Sequence, residues 1–259
     1  MYDLTKTCIS LKRLTAMKKV LDGGGVGSAG PRNVSTGFSF RGDASFLRDN
    51  IRCKVEGDPL GCLGDLGWYN VGLALWAFDY QLPCRATACI VSQTDEGVPL
   101  HITCTLTWPE EAPSDQKLGR QAPRTSTFFC SFLLAEQQWA HISGDSGVLE
   151  MEDFVIPFSP KKSSFCVKKH VWGSNALQIE NQVQTYETGD HDSQEVKMWK
   201  AFASEVAATD DHRHVRRAFW RDVALKTQAC MDALLASSRK QGAVVDVTPI
   251  PVIVASAGR

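Results

Sequence analysis

The sequence has no excess of charge of either sign. Its 259 residues include 28 lysines and arginines and 29 aspartates and glutamates, which gives a formal net charge of −1. A surface that binds nucleic acid or an anionic membrane is normally basic, and for nucleic acid it interleaves basic with aromatic residues. Neither pattern occurs in this sequence. We therefore expect no nucleic-acid partner and no membrane partner.

Long apolar runs are also absent. The longest, around residues 71–78, is far shorter than the roughly 20 residues that a membrane-spanning helix needs. No basic and then apolar leader opens the sequence. The nine cysteines are odd in number and include no C-x-x-C pair, which favours reduced, mostly buried thiols over a disulfide framework. Together these observations predict a soluble, cytoplasmic protein.

Short enzyme motifs are missing or lie in the wrong context. No G-x-S-x-G nucleophile motif is present. Residues 25–30, GVGSAG, match the dinucleotide fingerprint G-x-G-x-x-G, but a helical pattern precedes them and a strand pattern follows Pro31. The fingerprint needs the opposite order, because the N-terminus of the following helix has to face the pyrophosphate. We interpret this loop as a connection from a helix to a strand.

The histidines do not indicate a metal centre. His212 and His214 are two residues apart, a spacing that places the two rings on different faces of a helix. No set of cysteines or carboxylates completes a site around them. His141 and His170 lie in strand-like stretches and could each line a cleft, but we expect a structural role with satisfied hydrogen bonds.

What the sequence does contain is one unusually apolar helical segment. Residues 61–83 read GCLGDLGWYNVGLALWAFDYQLP, and over 66–78 the only polar side chains are Tyr69 and Asn70. A helix that is apolar on every side is buried. Asp65 and Tyr69 are four residues apart at its beginning, and side chains at this spacing lie together on a helix. A carboxylate and a phenol held by a rigid buried element are candidates for chemistry.

Each of these residues also has a purely structural interpretation. Aspartate is a preferred N-cap residue and a cap contributes about 1 kcal/mol, so Asp65 fits a helix cap. Tyr69 fits a core tyrosine with a satisfied hydroxyl. A tyrosine acts as a base only when its pKa of about 10 is lowered, which normally requires a nearby cation. Arg52 lies upstream and is a candidate anion or hydroxyl clamp; the alternative is a solvated loop arginine.

The remaining pattern predicts one sheet flanked by helices. Apolar residues recur at helical spacing over 11–21, 193–207 and 220–238. An extended segment with two prolines, 244–254, fits a sheet edge. A long run of strands bracketed by helices is typical of an α+β fold with one sheet and helices on one face. The predicted strands are 33–40, 85–92, 100–108, 125–133, 138–143, 148–150, 154–158, 163–171 and 182–186.

Residues 61–83 resemble the segment that opens the C-terminal domain of the Gfo/Idh/MocA oxidoreductases, the relatives of glucose–fructose oxidoreductase, inositol dehydrogenase and dihydrodiol dehydrogenase. Residues 25–40, GVGSAGPRNVSTGFSF, and 142–158, ISGDSGVLEMEDFVIPF, are similar to two further stretches of that family. The resemblance implies one open, mostly antiparallel mixed β-sheet with helices packed on one face. It implies an N-terminal helix and glycine-rich connection over 1–30, and a substrate-binding and dimerisation domain over 31–259.

The resemblance also implies a chemistry. The family's acid/base residue lies in a D-x-x-x-H motif, in which the dihydrodiol dehydrogenase and glucose–fructose branches have tyrosine instead of histidine; Asp65 and Tyr69 match the tyrosine form. Tyr69 would take the proton of a substrate hydroxyl while a hydride moves to NAD or NADP, and Asp65 would orient the site. The family's Rossmann domain, which binds the nicotinamide and carries a catalytic lysine, has no counterpart in the sequence and would precede residue 1.

Two functions follow as expectations. The first is the substrate-binding and catalytic half of an NAD(P)-dependent oxidoreductase that acts on sugar, polyol or diol CH–OH groups and is inactive alone. In this case Tyr69 and Asp65 are catalytic, Arg52 binds the substrate, and the chain forms a homodimer through the open sheet. The second is a non-catalytic binding or dimerisation module that retained the fold. Only the first function requires the hydroxyl of Tyr69.

Overall fold

The computed structural model describes residues 11–109, 123–172, 179–189, 192–207 and 212–251. Within these ranges the chain forms five α-helices and nine β-strands. The helices are α1 (Leu11–Asp22), α2 (Ala44–Asp49), α3 (Trp68–Ala77), α4 (Gln194–Ala207) and α5 (His212–Arg239). The strands are β1 (Asn33–Ser39), β2 (Arg85–Gln93), β3 (Pro99–Thr107), β4 (Thr125–Ser131), β5 (Gln137–Ser143), β6 (Val148–Met151), β7 (Ser164–Trp172), β8 (Ile179–Glu187) and β9 (Val245–Asp246).

All nine strands belong to one open sheet with the order β8-β7-β6-β5-β1-β4-β3-β2-β9. Neighbouring strands are antiparallel, except that β1 and β4 run parallel with Asn33 opposite Thr125. This confirms the predicted α+β fold with one open, mostly antiparallel mixed sheet. β9 pairs with β2 at one edge of the sheet, where the proline-containing segment was expected.

The two faces of the sheet differ, because side chains alternate along each strand. On the inner face the side chains are buried in one core together with residues of α1, α3 and α5, and they include Val34, Ile102, Ala140 and Leu149. The opposite face, which we call the outer face, carries mainly hydroxyl and aromatic groups, among them Ser35, Thr103, Thr127 and Trp139. The core of the protein therefore lies on one side of the sheet.

Most cysteines are small core residues, as predicted. Cys53, Cys62, Cys104, Cys130 and Cys230 are buried. Burial raises the pKa of the Cys230 thiol to about 12. A thiol that stays protonated at neutral pH is a poor nucleophile and metal ligand.

The prediction of a strand over 154–158 is wrong, because Gln138 and Asp153 bind its backbone. The N–H groups of Phe154 and Ile156 donate to the carbonyl and the side-chain oxygen of Gln138, at 2.9 and 2.6 Å. The N–H of Phe158 donates to Oδ2 of Asp153 at 2.9 Å. These bonds replace a strand ladder and hold the segment as a loop after β6.

One helix, α2, was not predicted, and another, α5, is longer than predicted. The turn at 41–43 leads into α2, because the carboxylate of Asp43 accepts a hydrogen bond from the N–H of Phe46 at 2.7 Å and caps the helix. α5 begins at His212 rather than at residue 220, so the charged stretch 212–219 is helical. The predicted polar loop over 109–123 lies, except for its end residues, outside the described residues, as do the first ten residues and 252–254.

A buried ion pair fixes α1 to the loop after β6. The side chain of Arg13 is 0% exposed, and its Nη1 donates to Oδ1 of Asp153 at 2.7 Å and to the carbonyl of the same residue at 3.0 Å. Its Nε donates to Oγ of Ser163 at 3.3 Å. An unpaired charge in the interior is costly, so each member of the pair depends on the other.

Arg13→Met should lower the free energy of unfolding by about 3–5 kcal/mol, because it leaves the Asp153 carboxylate buried without its cation. Urea unfolding of the variant and the wild type measures the difference. Arg48→Met is the matched control, since Arg48 lies exposed on α2 and binds only its neighbour Asp49 among the described residues. The control should change stability by less than about 0.5 kcal/mol. An equally small loss for Arg13→Met would contradict the prediction.

Candidate functional site

The segment 61–83 begins with a π-helical turn. This turn spans Leu63–Gly67, and α3 follows at Trp68 without a break. Asp65 lies inside the turn, and its N–H donates to the carbonyl of Gly61 at 3.0 Å. The interpretation of Asp65 as a helix cap is therefore wrong: the helical backbone starts before it, and neither helix start has a side-chain cap. π-helical turns are frequent at functional sites.

The carboxylate of Asp65 binds Arg52 instead. Nε of Arg52 lies 2.8 Å from Oδ1 of Asp65, and the two side chains are 43% and 24% exposed. Arg52 belongs to a short helical turn, Ile51–Cys53, that is capped by the side chain of Asn50. The pKa of Arg52 is raised by its hydrogen bond to Asp65 and by the charge of that carboxylate. Arg52 is thus paired at the surface of the site and is not a freely solvated loop arginine.

Tyr69 occupies the second position of α3 and is half-buried. Its ring packs edge-on against Phe38 of β1, with ring centres 5.8 Å apart, and Phe38 packs in the same way against Phe154 at 6.1 Å. These aromatic contacts fix the phenol at the border of the core. Tyr69 also lies close to Arg52, and the negative charge of its phenolate form contributes to the raised pKa of the guanidinium.

Asp58 is a further polar group of this site that the sequence did not indicate. Its Oδ1 accepts a hydrogen bond from the N–H of Leu60 at 3.0 Å. A Cβ atom at Gly64 would lie 2.7 Å from Oδ2 of Asp58, so the missing side chain at Gly64 lets the carboxylate approach the π turn. Burial raises the pKa of Asp58, and the charge of Asp65 raises it further. The only signal in the sequence is the glycine itself.

The site therefore combines a guanidinium, two carboxylates and a phenol at the beginning of α3. Such a set can bind hydroxyl groups and move a proton, since it contains both donors and acceptors. Within the described ranges, no group of three or more histidines, cysteines or carboxylates could hold a metal ion. None of the helices that the structure describes is both long and apolar enough to cross a membrane.

No protein-family model matches the sequence. Solved structures with a similar fold include oxidoreductases. The 3-ketoreductase KijD10 from Actinomadura kijaniata, solved with NADP and TDP-benzene, has a TM-score of 0.65 and 19% sequence identity, with 92% of this chain and 62% of that chain covered. Levoglucosan dehydrogenase in complex with NADH has a TM-score of 0.60 and 14% identity, with 96% and 65% covered. An oxidoreductase from Sinorhizobium meliloti has a TM-score of 0.59 and 13% identity, with 94% and 63% covered.

At sequence identities this low, the similarity to these structures shows the fold alone. The chain is an α+β protein whose fold is similar to that of oxidoreductases solved with NADP or NADH. It spans less than two thirds of the length of these proteins, 62% in the case of KijD10.

A left-handed backbone conformation costs a residue with a Cβ atom about 1–2 kcal/mol. Gly61→Ala should destabilise the protein by more than this amount. Gly61 has a φ of +54°, and a Cβ there would lie 2.3 Å from the carbonyl oxygen of Pro99. Gly97→Ala is the control, because Gly97 has a φ of +85° but no atom within 4 Å of the added Cβ. Urea unfolding compares the two variants. Equal losses would mean that the contact with Pro99 does not constrain the start of the site.

Asp58→Asn should stabilise the protein at neutral pH. Burial raises the pKa of Asp58 in the folded state above its ordinary value of 3.8. The native protein then binds this proton more tightly than the unfolded chain does, so stability falls as the pH rises from the unfolded to the folded pKa. Asparagine does not titrate, so the gain in stability from Asp58→Asn should disappear when the pH falls below the ordinary pKa of an aspartate.

Urea midpoints at neutral and at acidic pH measure this effect. Asp95→Asn, the same substitution in the exposed turn between β2 and β3, is the control and should change stability by less than about 0.5 kcal/mol. A gain for Asp58→Asn that does not depend on pH would argue against a buried carboxylate at this position.

Proposed function

We propose that this chain is the substrate-binding and catalytic half of an NAD(P)-dependent oxidoreductase of the Gfo/Idh/MocA type, acting on CH–OH groups of sugars, polyols or diols. The observation that carries the proposal is the 2.8 Å ion pair between Arg52 and Asp65 beside the helix that bears Tyr69. Support comes from the fold, which resembles those of a 3-ketoreductase and a levoglucosan dehydrogenase. Asp65 and Tyr69 also match the tyrosine form of the family's D-x-x-x-H motif.

In this proposal Tyr69 is the acid/base group. Its phenol oxygen accepts the proton of a substrate hydroxyl, because a neighbouring cation stabilises a phenolate. Arg52 uses one N–H to bind Asp65 and has further donors in the plane of the guanidinium. These donors hold a second oxygen of the substrate by charge-assisted hydrogen bonds. Asp65 acts through Arg52 as a positioning residue.

The described residues do not fit a nicotinamide dinucleotide. GVGSAG leads from α1 into β1, so no helix starts where the pyrophosphate of a dinucleotide would need one. The proposal is that NAD or NADP is bound by protein residues other than those of this chain, and that the chain alone is inactive.

The second candidate function is a non-catalytic binding or dimerisation module. It is favoured by the outer face of the sheet, where Thr103, Thr127 and Trp139 line an open depression of about 390 Å³. We propose that a second copy of the chain pairs with this face to form a homodimer. The dimer is compatible with either function and does not involve Tyr69.

Ligand binding by the purified chain separates the two candidates. Titration calorimetry with a panel of hexoses, inositols, linear polyols and cyclic diols should find one ligand that binds saturably. Tyr69→Phe and Arg52→Met should each weaken its binding by about tenfold, the loss expected for one hydrogen bond that involves a charged group. Tyr80→Phe and Arg48→Met are the matched controls and should bind like the wild type.

Two further measurements complete this test. The chain should show no NAD(P)-dependent turnover of the ligand, and clear turnover would contradict the proposal that it is inactive alone. Analytical ultracentrifugation follows the oligomeric state of the same variants. A dimer that persists in Tyr69→Phe, together with no binding across the panel, would favour the non-catalytic module.

A further inference from the structure

The loop between β6 and β7 carries a short sequence that neither of the functions above uses. Residues 159–162 read SPKK. Proline-directed serine/threonine kinases select a serine that is followed by a proline, and some of them also require a basic residue three positions after the serine. Proline suits such a kinase because it brings no backbone N–H that the binding pocket would leave unpaired. Many proteins contain such a match by chance, so the structure around Ser159 has to distinguish this one.

The backbone at Ser159 has the conformation that a kinase requires. Its φ of −145° and ψ of 113° are those of an extended chain. Protein kinases bind the target serine in an extended segment, and a following proline favours this conformation because it disfavours the helical one. The hydroxyl of Ser159 does not cap the short helical turn that follows, Pro160–Lys162. The hydroxyl therefore gives up no bond of this turn when it is modified.

The residues on both sides of Ser159 are accessible. The side chain of Phe158 is 69% exposed. Lys161 and Lys162 are exposed as well, and Ser159 itself is half-buried. A kinase can therefore contact the basic residue three positions after the serine, which is Lys162.

Few bonds hold the segment 159–162 in its turn. The N–H of Lys162 donates to the carbonyl of Ser159 at 3.0 Å and closes the turn. The carbonyl of Lys161 lies against Gly189, which has no side chain to hold it. Opening the turn therefore breaks one backbone hydrogen bond, whose net contribution to stability is modest. Segments of this kind open locally while the rest of the protein stays folded.

Thr248 provides a comparison within the same chain. It is the only other serine or threonine that precedes a proline in the sequence, but the residue three positions after it is Pro251 rather than a basic residue. Its surroundings are also tied to the fold: the N–H of Val247 donates to the carbonyl of Cys84 at 3.0 Å, and Ile250 packs against the core. Thr248 thus shares the proline with Ser159 but has neither the basic residue nor the same freedom to open.

We propose that Ser159 is a phosphorylation site for a proline-directed serine/threonine kinase, and that Lys162 is the basic residue by which the kinase recognises it. Oγ of Ser159 attacks the γ-phosphorus of ATP and forms the new O–P bond. The bond from the γ-phosphorus to the oxygen that bridges it to the β-phosphate breaks, and ADP leaves. The proton of the serine hydroxyl passes to a base of the kinase.

The product places a phosphate group beside two lysines. A serine phosphate carries a charge of about −1.5 to −2 at neutral pH and has three strong acceptor oxygens. Lys161 and Lys162 directly follow the proline and can bind these oxygens by charge-assisted hydrogen bonds. The site goes beyond the function proposed above and uses none of the residues Arg52, Asp65 and Tyr69.

Incubation of the purified chain with ATP and a cyclin-dependent kinase, which requires this type of sequence, tests the proposal. Mass spectrometry should find one phosphate group per chain, on Ser159, and none on Thr248. Ser159→Ala should abolish the incorporation. Lys162→Ala should lower the initial rate by about tenfold, because the complex with the kinase loses one charge-assisted hydrogen bond. Lys240→Ala removes the same charge from the exposed turn after α5 and should leave the rate unchanged.

Three results would overturn the proposal: no phosphate on Ser159 of the folded chain, equal rates at Ser159 and Thr248, and an equal loss of rate in Lys162→Ala and Lys240→Ala. A synthetic peptide with the sequence of residues 153–165 is assayed in parallel. Phosphorylation of the peptide but not of the chain would mean that the fold withholds the serine, which also contradicts the proposal. Tyr69→Phe should be phosphorylated at the wild-type rate, so a failure of the proposed oxidoreductase function would not affect this result.

Discussion

The apolar character of α3 determines where polar chemistry is placed in this protein. The helix packs on the inner face of the sheet, and within it only Tyr69 and Asn70 are polar apart from the tryptophan N–H groups. Charged groups are therefore confined to its two ends. Arg52 and Asp65 pair at the beginning, and Lys18 and Asp79 pair beyond the end. The helix thus separates two polar clusters and fixes the distance between them.

Much of this arrangement was predictable from local pattern. The period of apolar residues predicted α1 and the core of α5, and alternation predicted eight of the nine strands closely. The interpretation of GVGSAG as a connection from a helix to a strand is confirmed, since it leads from α1 into β1. The pairing of Arg52 with Asp65 was not predicted, because a spacing of thirteen residues through a loop has no fixed geometry. The roles of Tyr69, Asp65 and Arg52 remain predictions.

The features that were missed depend on contacts between distant residues. Gln138 and Asp153 bind the backbone over 154–158 and make a loop from a segment whose composition favours a strand. Arg13 looks like one more basic residue on a surface helix, yet it is buried against a carboxylate 140 residues away. Asp58 acquires its raised pKa from burial that no local pattern reports. Periodicity describes faces of single elements, but it does not describe which polar groups meet in the interior.

The position of β1 in the sheet has a consequence for the order of folding. β1 lies between β4 and β5, and its partner across the parallel pair is 92 residues further along the chain. Closing so large a loop is slow, because its entropic cost precedes the gain from the contacts. During synthesis β1 leaves the ribosome long before either neighbour and has no strand to pair with. The centre of the sheet, and with it the support for Tyr69, therefore assembles after the hairpin of β2 and β3.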